Sequence, residues 1–498
     1  MLVDHWARKA RIVEWDIRPF IDGELRESAA REFFDVVNPA TGERLYQAPV
    51  GDAADVDAAV AAARRAFAGE WPRLGVQTRR RVLAAFIEEI AAAAHDIAIL
   101  DSLEMGKPVA QALFDAEILA PAFGRFCVEA VDKLRGSVAN TEPGMLAMSL
   151  WEPRGVVGAI VPWNFPVINA IVKMAPALAA GNCVVLKPSE LANGSAFLLA
   201  RLATEAGIPP GVINVVPGLG PTVGAAIARH PGINFLSFTG STATGRKLLA
   251  QCGESNGKPA LLECGGKSPQ IVFDDMGDVA KLAARIAGEA LWNQGQVCVS
   301  RARVLVHRSI HAALVEALAA HVAGVAPGDP LDPATSHGPL ASRGQWQRVA
   351  GMVRRAVYDG ALQVGGILPE DDGGCFMKPV LFDGVTPDMN IWREEVFGPV
   401  IGVTAFSTLD EALSLANDCD YGLAATVWTR DLATGIAMAR GIEAGEVVVH
   451  SGFSEHEGPG FSLPQEGRKG SGFGIETGVE GIKSYMTVKK IELHGISA

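Results

Sequence analysis

The sequence predicts an α/β protein built from two successive doubly wound sheets of mainly parallel strands, and the order of its apolar segments is the main reason. From about residue 155, short and fully apolar runs alternate with helical patterns, which is typical of parallel strands buried on both faces. A second alternating series begins after Leu262. The chain has 498 residues, of which 49% are hydrophobic and 20% charged, so it is long enough for two large globular domains.

The region before residue 155 lacks this alternation and is predicted to be mostly helical after its first 50 residues. Residues 1–50 are expected to form a short arm and strands, with turns at Asp22-Gly23 and Asn38-Pro39. The last helical stretch is expected to break or bend near Pro121, because proline has no backbone N–H to donate. The predicted helices of this region are residues 56–67, 79–105 and 108–134.

The two alternating series supply the strands and helices of the predicted sheets. In the first series the predicted strands are residues 156–161, 183–186, 212–216 and 233–238, and the predicted helices are residues 173–180, 195–206, 222–228 and 241–251. In the second series strands are expected near Ile271, Val304, Val400 and Val447, and helices over residues 280–291, 310–323, 342–359 and 410–416.

Charge and cysteine content exclude several classes of protein. The 44 basic and 56 acidic side chains leave a net charge of −12, which argues against a broad nucleic-acid surface but allows a local phosphate pocket. No uncharged run approaches the roughly 18 residues of a membrane-spanning helix, and the N-terminus lacks a secretory pattern. Seven unclustered cysteines predict reduced thiols in a cytoplasmic protein, and no zinc-binding pattern is present. We therefore expect an enzyme without a membrane, nucleic-acid or metal partner.

One thiol and one carboxyl side chain, Cys298 and Glu263, are candidates for catalysis. Cys298 lies between a helical pattern and an apolar strand, where a thiol can reach a cleft and act as a nucleophile; a buried inert cysteine is the commoner outcome. Glu263 lies between an apolar pair and a Gly-Gly pair, where burial would raise its pKa and suit it to general-base chemistry. A solvated glutamate at a strand end is an equal alternative. Its neighbour Cys264 is expected to pack in the core.

Polar side chains follow four successive predicted strands, at the edge where open α/β sheets bind ligands. Asn164 offers an amide that can stabilise an oxyanion, although a turn asparagine is the usual alternative. Lys187 and Glu190 can face ribose and phosphate oxygens. Segments 218–224 and 238–245 open helices whose N–H groups can bind phosphate. The GxGxxxG spacing of the first is a weak dinucleotide signal, and the second could be an ordinary Ser/Thr cap.

These segments, taken together and in this order, resemble the NAD(P)-dependent aldehyde dehydrogenase superfamily over nearly the whole chain. The resemblance rests chiefly on Pro162-Trp-Asn-Phe-Pro166, Glu263-Cys-Gly-Gly-Lys-Ser-Pro269, Gly295-Gln-Val-Cys298 and Glu394-Glu-Val-Phe-Gly-Pro399, with Asn417 and Tyr421-Gly-Leu-Ala-Ala425 in addition.

The resemblance implies a role for each candidate. Cys298 would be the nucleophile, Asn164 and the Cys298 backbone N–H the oxyanion hole, and Glu263 the base that activates water against a thioester. Because this base is present, release of a free carboxylic acid is favoured over acyl transfer to coenzyme A.

The cofactor implied by the resemblance is NAD, preferred over NADP because Glu190 would accept from the ribose 2′-hydroxyl and repel a 2′-phosphate. Lys187 and Glu190 resemble adenosine-ribose contacts, Ser241 and Trp163 pyrophosphate contacts, and Glu395 and Phe397 nicotinamide-ribose contacts. The full set of expected cofactor contacts is Val161, Pro162, Trp163, Lys187, Ser189, Glu190, Gly220, Phe238, Gly240, Ser241, Gly265, Glu395 and Phe397.

The substrate end departs from the family pattern, so the aldehyde itself is left open. The usual Pro-Phe-Gly-Gly is Pro464-Gln-Glu-Gly467, and the usual preceding asparagine is His450. The loop between them is longer than usual and contains Glu455, His456 and Glu457. The residues expected to line the substrate pocket are Asn169, Val172, Val297 and Phe461.

The resemblance also implies a domain plan. Residues 1–134 and 154–262 would form a Rossmann-like dinucleotide-binding domain, and residues 263–480 a Rossmann-like catalytic domain. Residues 135–153 and 481–498 would supply strands of a small β oligomerisation element, which implies a homodimer or homotetramer.

Two rival interpretations use the same residues. A cofactor-independent thiol esterase could employ Cys298 and Glu263 alone. A catalytically idle binding protein could retain the fold, although an intact set of Cys298, Glu263 and Asn164 argues against it.

Overall fold

The computed structural model describes residues 2–453 and 460–495, with side chains from residue 5 onward. Glu455, His456 and Glu457 of the long loop lie outside the described residues. Among the described residues, none of the helices combines the length and apolar character that crossing a membrane requires.

The first sheet has eight strands, and five of them are parallel. Their short apolar sequences are buried throughout, as expected for strands covered by helices on both faces. Antiparallel strands extend both edges. In spatial order the strands are Glu24–Leu25, Phe20–Ile21, Ile213–Val215, Cys183–Lys187, Val156–Ile160, Phe235–Thr239, Ala260–Glu263 and Gly472–Phe473.

The second sheet has seven strands, of which six are parallel. An antiparallel strand forms one edge. In spatial order the strands are Leu362–Gly366, Val380–Asp383, Val400–Phe406, Arg303–His307, Pro269–Val272, Ala424–Trp428 and Glu446–His450.

A separate three-stranded antiparallel sheet joins residues 138–153 to the C-terminal region. Strand Met486–His494 pairs along its whole length with Met145–Pro153, which also pairs with Val138–Ala139. Two smaller antiparallel pairs complete the strands, Phe33–Val37 with Arg44–Pro49 and Tyr421–Gly422 with Arg468–Lys469.

Helices cover both sheets. Those before residue 260 are Leu2–Arg11, Ala53–Ala68, Val76–Ala92, Ala94–Met105, Val109–Phe114, Ala120–Ala130, Pro166–Ala179, Gly194–Glu205, Ala225–Arg229 and Thr242–Glu254. Those after it are Val279–Leu291, His311–Ala323, Arg343–Tyr358, Asn390–Arg393, Leu409–Asn417, Leu432–Gly441 and Gly478–Ser484.

The architecture confirms the predicted fold class: two parallel, helix-covered sheets and a small β element. Within the short arm expected in residues 1–50, Leu2–Arg11 forms a helix that was not predicted. Ten residues form a marginal helix alone. Here Trp6 is buried and stacks on His95 at 5.0 Å between ring centroids, so tertiary packing stabilises the helix.

The expected break or bend near Pro121 corresponds to a π-helical turn at Asp115–Leu119, through which the chain stays helical. Pro121 lies at the start of the helix that follows, where the missing N–H is tolerated. The predicted helix 79–105 is likewise two helices, Val76–Ala92 and Ala94–Met105, that meet at Ala93.

Candidate active site

A cavity of about 440 Å³ opens at the carboxyl ends of the first-sheet strands Val156–Ile160 and Phe235–Thr239. Ligands bind at this edge in open α/β sheets. The side chains around it come from both halves of the chain: Pro162, Trp163, Asn164, Phe165, Ile168, Asn169, Val172, Thr239, Gly240, Ser241, Cys264, Gly265, Val297, Cys298, Val299, Gln345, Arg348, Glu395, Phe397 and Glu476.

A strained turn brings Cys298 to this cavity. Asn293, Gln294 and Gly295 have φ angles of 49°, 58° and 69°, a run of left-handed residues that is rare outside glycine. Gly295 is required sterically, because a Cβ there would lie 2.2 Å from the Gly398 carbonyl oxygen. The turn ends helix Val279–Leu291 and redirects the chain toward the cavity.

The Cys298 side chain is only partly exposed. Burial, reinforced by the negative charges of Glu395 and Glu263, raises the pKa of its thiol to about 12. A hydrogen bond from the Val299 backbone N–H opposes this shift. In this arrangement Cys298 is a protonated thiol at neutral pH.

Asn164 is held from two sides. Its Nδ2 donates to the Gln296 carbonyl at 2.9 Å, and Asn293 Nδ2 donates to the Asn164 carbonyl at 2.9 Å. An amide nitrogen has two hydrogens, so one donor of Asn164 is free of that contact. The two hydrogen bonds fix the asparagine loop to the turn that precedes Cys298.

Glu263 ends strand Ala260–Glu263 and is buried, and its Oε1 has no hydrogen-bond partner among the described residues. Burial raises the pKa of Glu263 well above its usual value, Glu476 raises it further, and Lys173 opposes both. Such a carboxyl group is suited to taking a proton near neutral pH.

Sequence reasoning missed Glu476 and Lys173. Lys173 Nζ is paired with the Glu476 carboxylate, and Glu476 lines the cavity. The two residues lie 303 positions apart, and the pairing of Gly472–Phe473 with strand Ala260–Glu263 places the Glu476 segment at the edge of the first sheet.

Glu395 and Phe397 form another part of the cavity wall. Glu395 Oε1 accepts a hydrogen bond from the Gly266 N–H at 3.1 Å, and burial raises the pKa of Glu395 to about 7. The Phe397 ring packs edge-to-face on Trp163, with centroids 5.4 Å apart. This wall therefore joins the Glu395 segment to the tryptophan beside Asn164.

Two side chains of helix Arg343–Tyr358 hold this wall and were also missed. Arg348 donates to the carbonyls of Val396 and Glu395, each at 2.6 Å, and Gln345 Nε2 donates to the Phe397 carbonyl at 2.6 Å. Their spacing of three residues places both side chains on one face of the helix. This spacing is the sequence feature that could have indicated a shared role.

The expected adenosine contacts lie outside the cavity, at the end of strand Cys183–Lys187. Lys187 is buried, donates to the Pro188 carbonyl at 2.7 Å and lies 3.6 Å from a Glu190 carboxylate oxygen. Glu190 is about 44% exposed. Ser189 is buried, and Gly220 opens a π-helical segment, Gly220–Gly224, instead of a regular helix.

The remaining expected cofactor contacts are distributed between the cavity wall and the core. Pro162, Trp163, Gly240, Ser241, Gly265, Glu395 and Phe397 line the cavity, whereas Val161 and Phe238 are buried and do not.

Three of the four residues expected to line the substrate pocket lie at the cavity. Asn169, Val172 and Val297 line the cavity. Phe461 does not, because it packs edge-to-face on Phe123 with centroids 4.9 Å apart. His450 also lies away from the cavity and stacks on Trp428 at 4.4 Å.

The cavity has features that fit a dinucleotide. A Cβ on Gly265 would lie 2.2 Å from a Glu395 carboxylate oxygen, so the lack of a side chain at Gly265 lets this carboxylate approach the backbone of the cavity wall. Ser241, at the cavity edge, is the N-cap of the 13-residue helix Thr242–Glu254. Free N–H groups at such a helix start bind phosphates.

Comparison with known proteins agrees with this geometry. A sequence model of the aldehyde dehydrogenase family matches residues 25–491. The chain is 40% identical over 489 residues to the NADP/NAD-dependent aldehyde dehydrogenase PuuC of Escherichia coli K12, covering 98% of this chain and 97% of that protein. It is 40% identical over 473 residues to an aminoacetaldehyde dehydrogenase of Pseudomonas aeruginosa, covering 95% and 94%.

A solved structure of an indole-3-acetaldehyde dehydrogenase with NAD⁺ superposes with a TM-score of 0.95 at 40% identity, covering 99% of this chain and all of that one. The resemblance found in the motifs is thus confirmed over nearly the whole length. The chain belongs to the aldehyde dehydrogenase family and is an NAD(P)-dependent enzyme that oxidises aldehydes to acids.

Proposed function

We propose that this enzyme oxidises its aldehyde through a thioester on Cys298, which water activated by Glu263 then hydrolyses. The observation that supports this most directly is that Cys298 and Asn164 line one cavity of about 440 Å³, and that buried Glu263 lies close enough for its charge to raise the pKa of the Cys298 thiol. The rest of the mechanism follows from the chemistry of these groups.

In the first step the partly exposed Cys298 thiol gives its proton to solvent water, and the sulfur then bonds to the aldehyde carbon. The carbonyl electron pair moves to oxygen, and the alkoxide accepts hydrogen bonds from Asn164 Nδ2 and the Cys298 backbone N–H. Donors aimed at this developing charge lower the barrier because they are already oriented when the charge forms. Bound NAD supplies the acceptor for the hydride that leaves this carbon, which converts the adduct to a thioester.

In the second step Glu263 removes a proton from water, and the resulting hydroxide equivalent attacks the thioester carbon. The C–S bond breaks, the sulfur leaves as a thiolate and the product is a carboxylic acid. Burial supports this role, because the raised pKa of Glu263 makes its carboxylate a stronger base than a solvated one.

We infer that NAD is preferred over NADP. The carboxylate of Glu190 is partly exposed beside Lys187, where it can accept from a ribose 2′-hydroxyl and would repel a 2′-phosphate. PuuC, which this chain resembles, is named for use of both dinucleotides.

We also propose a cytoplasmic homodimer or homotetramer. The three-stranded sheet supports the oligomer, because strand Met486–His494 forms one of its edges and Val488 and Leu493 are exposed on it. The seven unpaired cysteines support a reducing compartment.

Replacement of the nucleophile tests the proposal. Cys298→Ser should abolish NADH formation from every member of a panel of short aliphatic, amino- and aromatic aldehydes, measured by absorbance. Cys264→Ser is the matched control, because Cys264 also lines the cavity and should leave most activity intact. NADH formation at the wild-type rate by Cys298→Ser would contradict the mechanism.

The rival thiol esterase makes a different prediction for the wild-type protein. It requires hydrolysis of an activated ester without NAD, and no NADH from any aldehyde of the panel. Family membership weighs against this outcome.

A further inference from the structure

A fully buried ion pair lies behind the loop that contains Asn164. Lys107 Nζ is paired with the Asp115 carboxylate, and both side chains are shielded from solvent. Removing two charges from water is costly, and well-packed apolar residues in such a place are often equally stable or more so. We therefore expect this ion pair to have a role other than stabilising the folded state.

The same ammonium group lies over an aromatic ring. Lys107 Nζ is 3.6 Å from the centroid of the Phe165 ring, within the range of a cation–π contact. Such contacts are strongest where water is excluded, and Lys107 is fully buried. The same ammonium donates a hydrogen bond to the Asp115 carboxylate.

Phe165 is the residue after Asn164, so a contact on its ring acts on the oxyanion loop. It lines the cavity and is the N-cap of helix Pro166–Ala179, but its side chain makes no capping hydrogen bond. Its carbonyl accepts from the Asn169 backbone N–H at 2.9 Å and from Asn169 Nδ2 at 3.0 Å. The backbone of Phe165 is thus fixed to the helix, and its ring is fixed by Lys107.

The position of Asp115 is itself unusual. Asp115 begins the π-helical turn Asp115–Leu119, a type of distortion that occurs often at functional sites. One of its carboxylate oxygens, Oδ1, has no hydrogen-bond partner among the described residues. The π-helical turn therefore places the Asp115 carboxylate against Lys107, where Oδ2 accepts a hydrogen bond and Oδ1 does not.

We propose that Lys107 is a positioning residue for the oxyanion hole. Its ammonium group, held by Asp115, binds the face of the Phe165 ring and thereby fixes the loop that presents the Asn164 amide to the alkoxide. This inference rests on the proposed role of Asn164, and Lys107 itself touches neither substrate nor cofactor.

Stepwise fluorination of Phe165 tests the proposal. Mono-, di- and trifluorophenylalanine at position 165 reduce the negative potential of the ring face with little change in shape. We expect the logarithm of turnover with a short aliphatic aldehyde to fall linearly with fluorine number, by about tenfold over the series, with KM for NAD unchanged. A merely structural contact would lower the unfolding temperature without this linear change in turnover.

Two controls make the result specific. The same series at Phe235, whose ring lies 5.2 Å from Arg154 and outside the cavity, should leave turnover unchanged. In the double variant Lys107→Met/Asp115→Asn, which leaves no unpaired buried charge of that pair, the Phe165 series should become flat.

Each outcome bears on a different claim. A flat Phe165 series in the otherwise wild-type enzyme overturns the positioning role, and so does an equal slope in the double variant. If the double variant does not fold, the contrast between the Phe165 and Phe235 series decides alone. If the unmodified enzyme forms no NADH from aldehydes, or if Asn164→Ala keeps full turnover, the proposed function fails instead.

Discussion

The ammonium group of Lys173 is paired with the Glu476 carboxylate at the edge of the cavity that contains Cys298. Lys173 is fully buried on helix Pro166–Ala179, whereas Glu476 is partly exposed. Both act on the proposed base, because Glu476 raises and Lys173 lowers the pKa of Glu263. Burial is the main cause of the raised pKa of Glu263, and the pair adjusts the pH at which Glu263 becomes a carboxylate.

Glu476→Gln should shift the pH dependence of turnover to lower pH. The substitution removes a negative charge that raises the pKa of Glu263 and leaves the opposing charge of Lys173 without its partner. Since the base works as a carboxylate, the rise of turnover with pH should begin at a lower pH than in the wild type. The measurement is the pH profile of turnover under conditions where hydrolysis of the thioester limits the rate.

Glu466→Gln is the matched control for this shift. Glu466 raises the pKa of Glu263 less than Glu476 does, and it is exposed. We expect a smaller displacement in the same direction. A displacement of the Glu476→Gln profile to higher pH would show that the pair does not act on Glu263 through its charge.

The fold was predictable because its signals are local. Runs such as Val156–Ile160 and Cys183–Lys187 are buried along their whole length. A short, almost entirely apolar sequence is typical of a parallel strand that helices cover on both faces. The edge strand Leu362–Gly366 was not predicted, because exposed and glycine-containing edges lack that pattern. Helix Leu2–Arg11 was missed since its stability comes from contacts with His95.

The candidate site was predictable where one short segment contains both the residue and its context. Cys298 and Asn164 belong to such segments, and the cavity brings them together. Glu476 could not be found this way, because its partner Lys173 is 303 residues away. The left-handed turn at Asn293 also depends on packing of Gly295 against the Gly398 segment, which lies about 100 residues further along the chain.

Asn164→Ala should lower turnover by about 10²–10³-fold, the usual effect of losing one oxyanion donor. Asn169→Ala is the matched control: this second cavity asparagine loses its amide hydrogen bond to the Phe165 carbonyl, but its backbone N–H still donates to that carbonyl, so the loop that presents Asn164 stays held. The control should lose much less turnover, and its effect should fall mainly on KM for the aldehyde. Steady-state kinetics with one aldehyde compares the two, and equal losses in turnover would remove the special role of Asn164.

Glu190→Gln should improve use of NADP relative to NAD. The neutral amide removes the repulsion of a 2′-phosphate, and we expect kcat/KM for NADP to rise on the order of five- to tenfold. Glu205→Gln, at the exposed far end of helix Gly194–Glu205, should leave both values unchanged. A wild-type enzyme that uses NADP as well as NAD would refute the assigned role of Glu190.

Glu104 provides a prediction about stability rather than catalysis. It is buried, and burial raises its pKa to about 8, although Tyr46 and the N–H groups of Asn193 and Gly194 donate hydrogen bonds to it. The folded state therefore binds a proton that the unfolded state releases at a lower pH, near the usual pKa of about 4.3 for glutamate. Through this group, the free energy of unfolding falls as pH rises from about 4.3 toward 8.

Glu104→Gln replaces the protonated group by a permanently neutral one and should remove this loss. The unfolding temperature of the variant minus that of the wild type should rise by on the order of a few °C between pH 5.5 and 8.5, measured at one scan rate. Glu89→Gln, at an exposed position of helix Val76–Ala92, should give a difference independent of pH. A difference for Glu104→Gln that falls with pH would mean that Glu104 is ionised in the folded protein and stabilised by its hydrogen-bond donors.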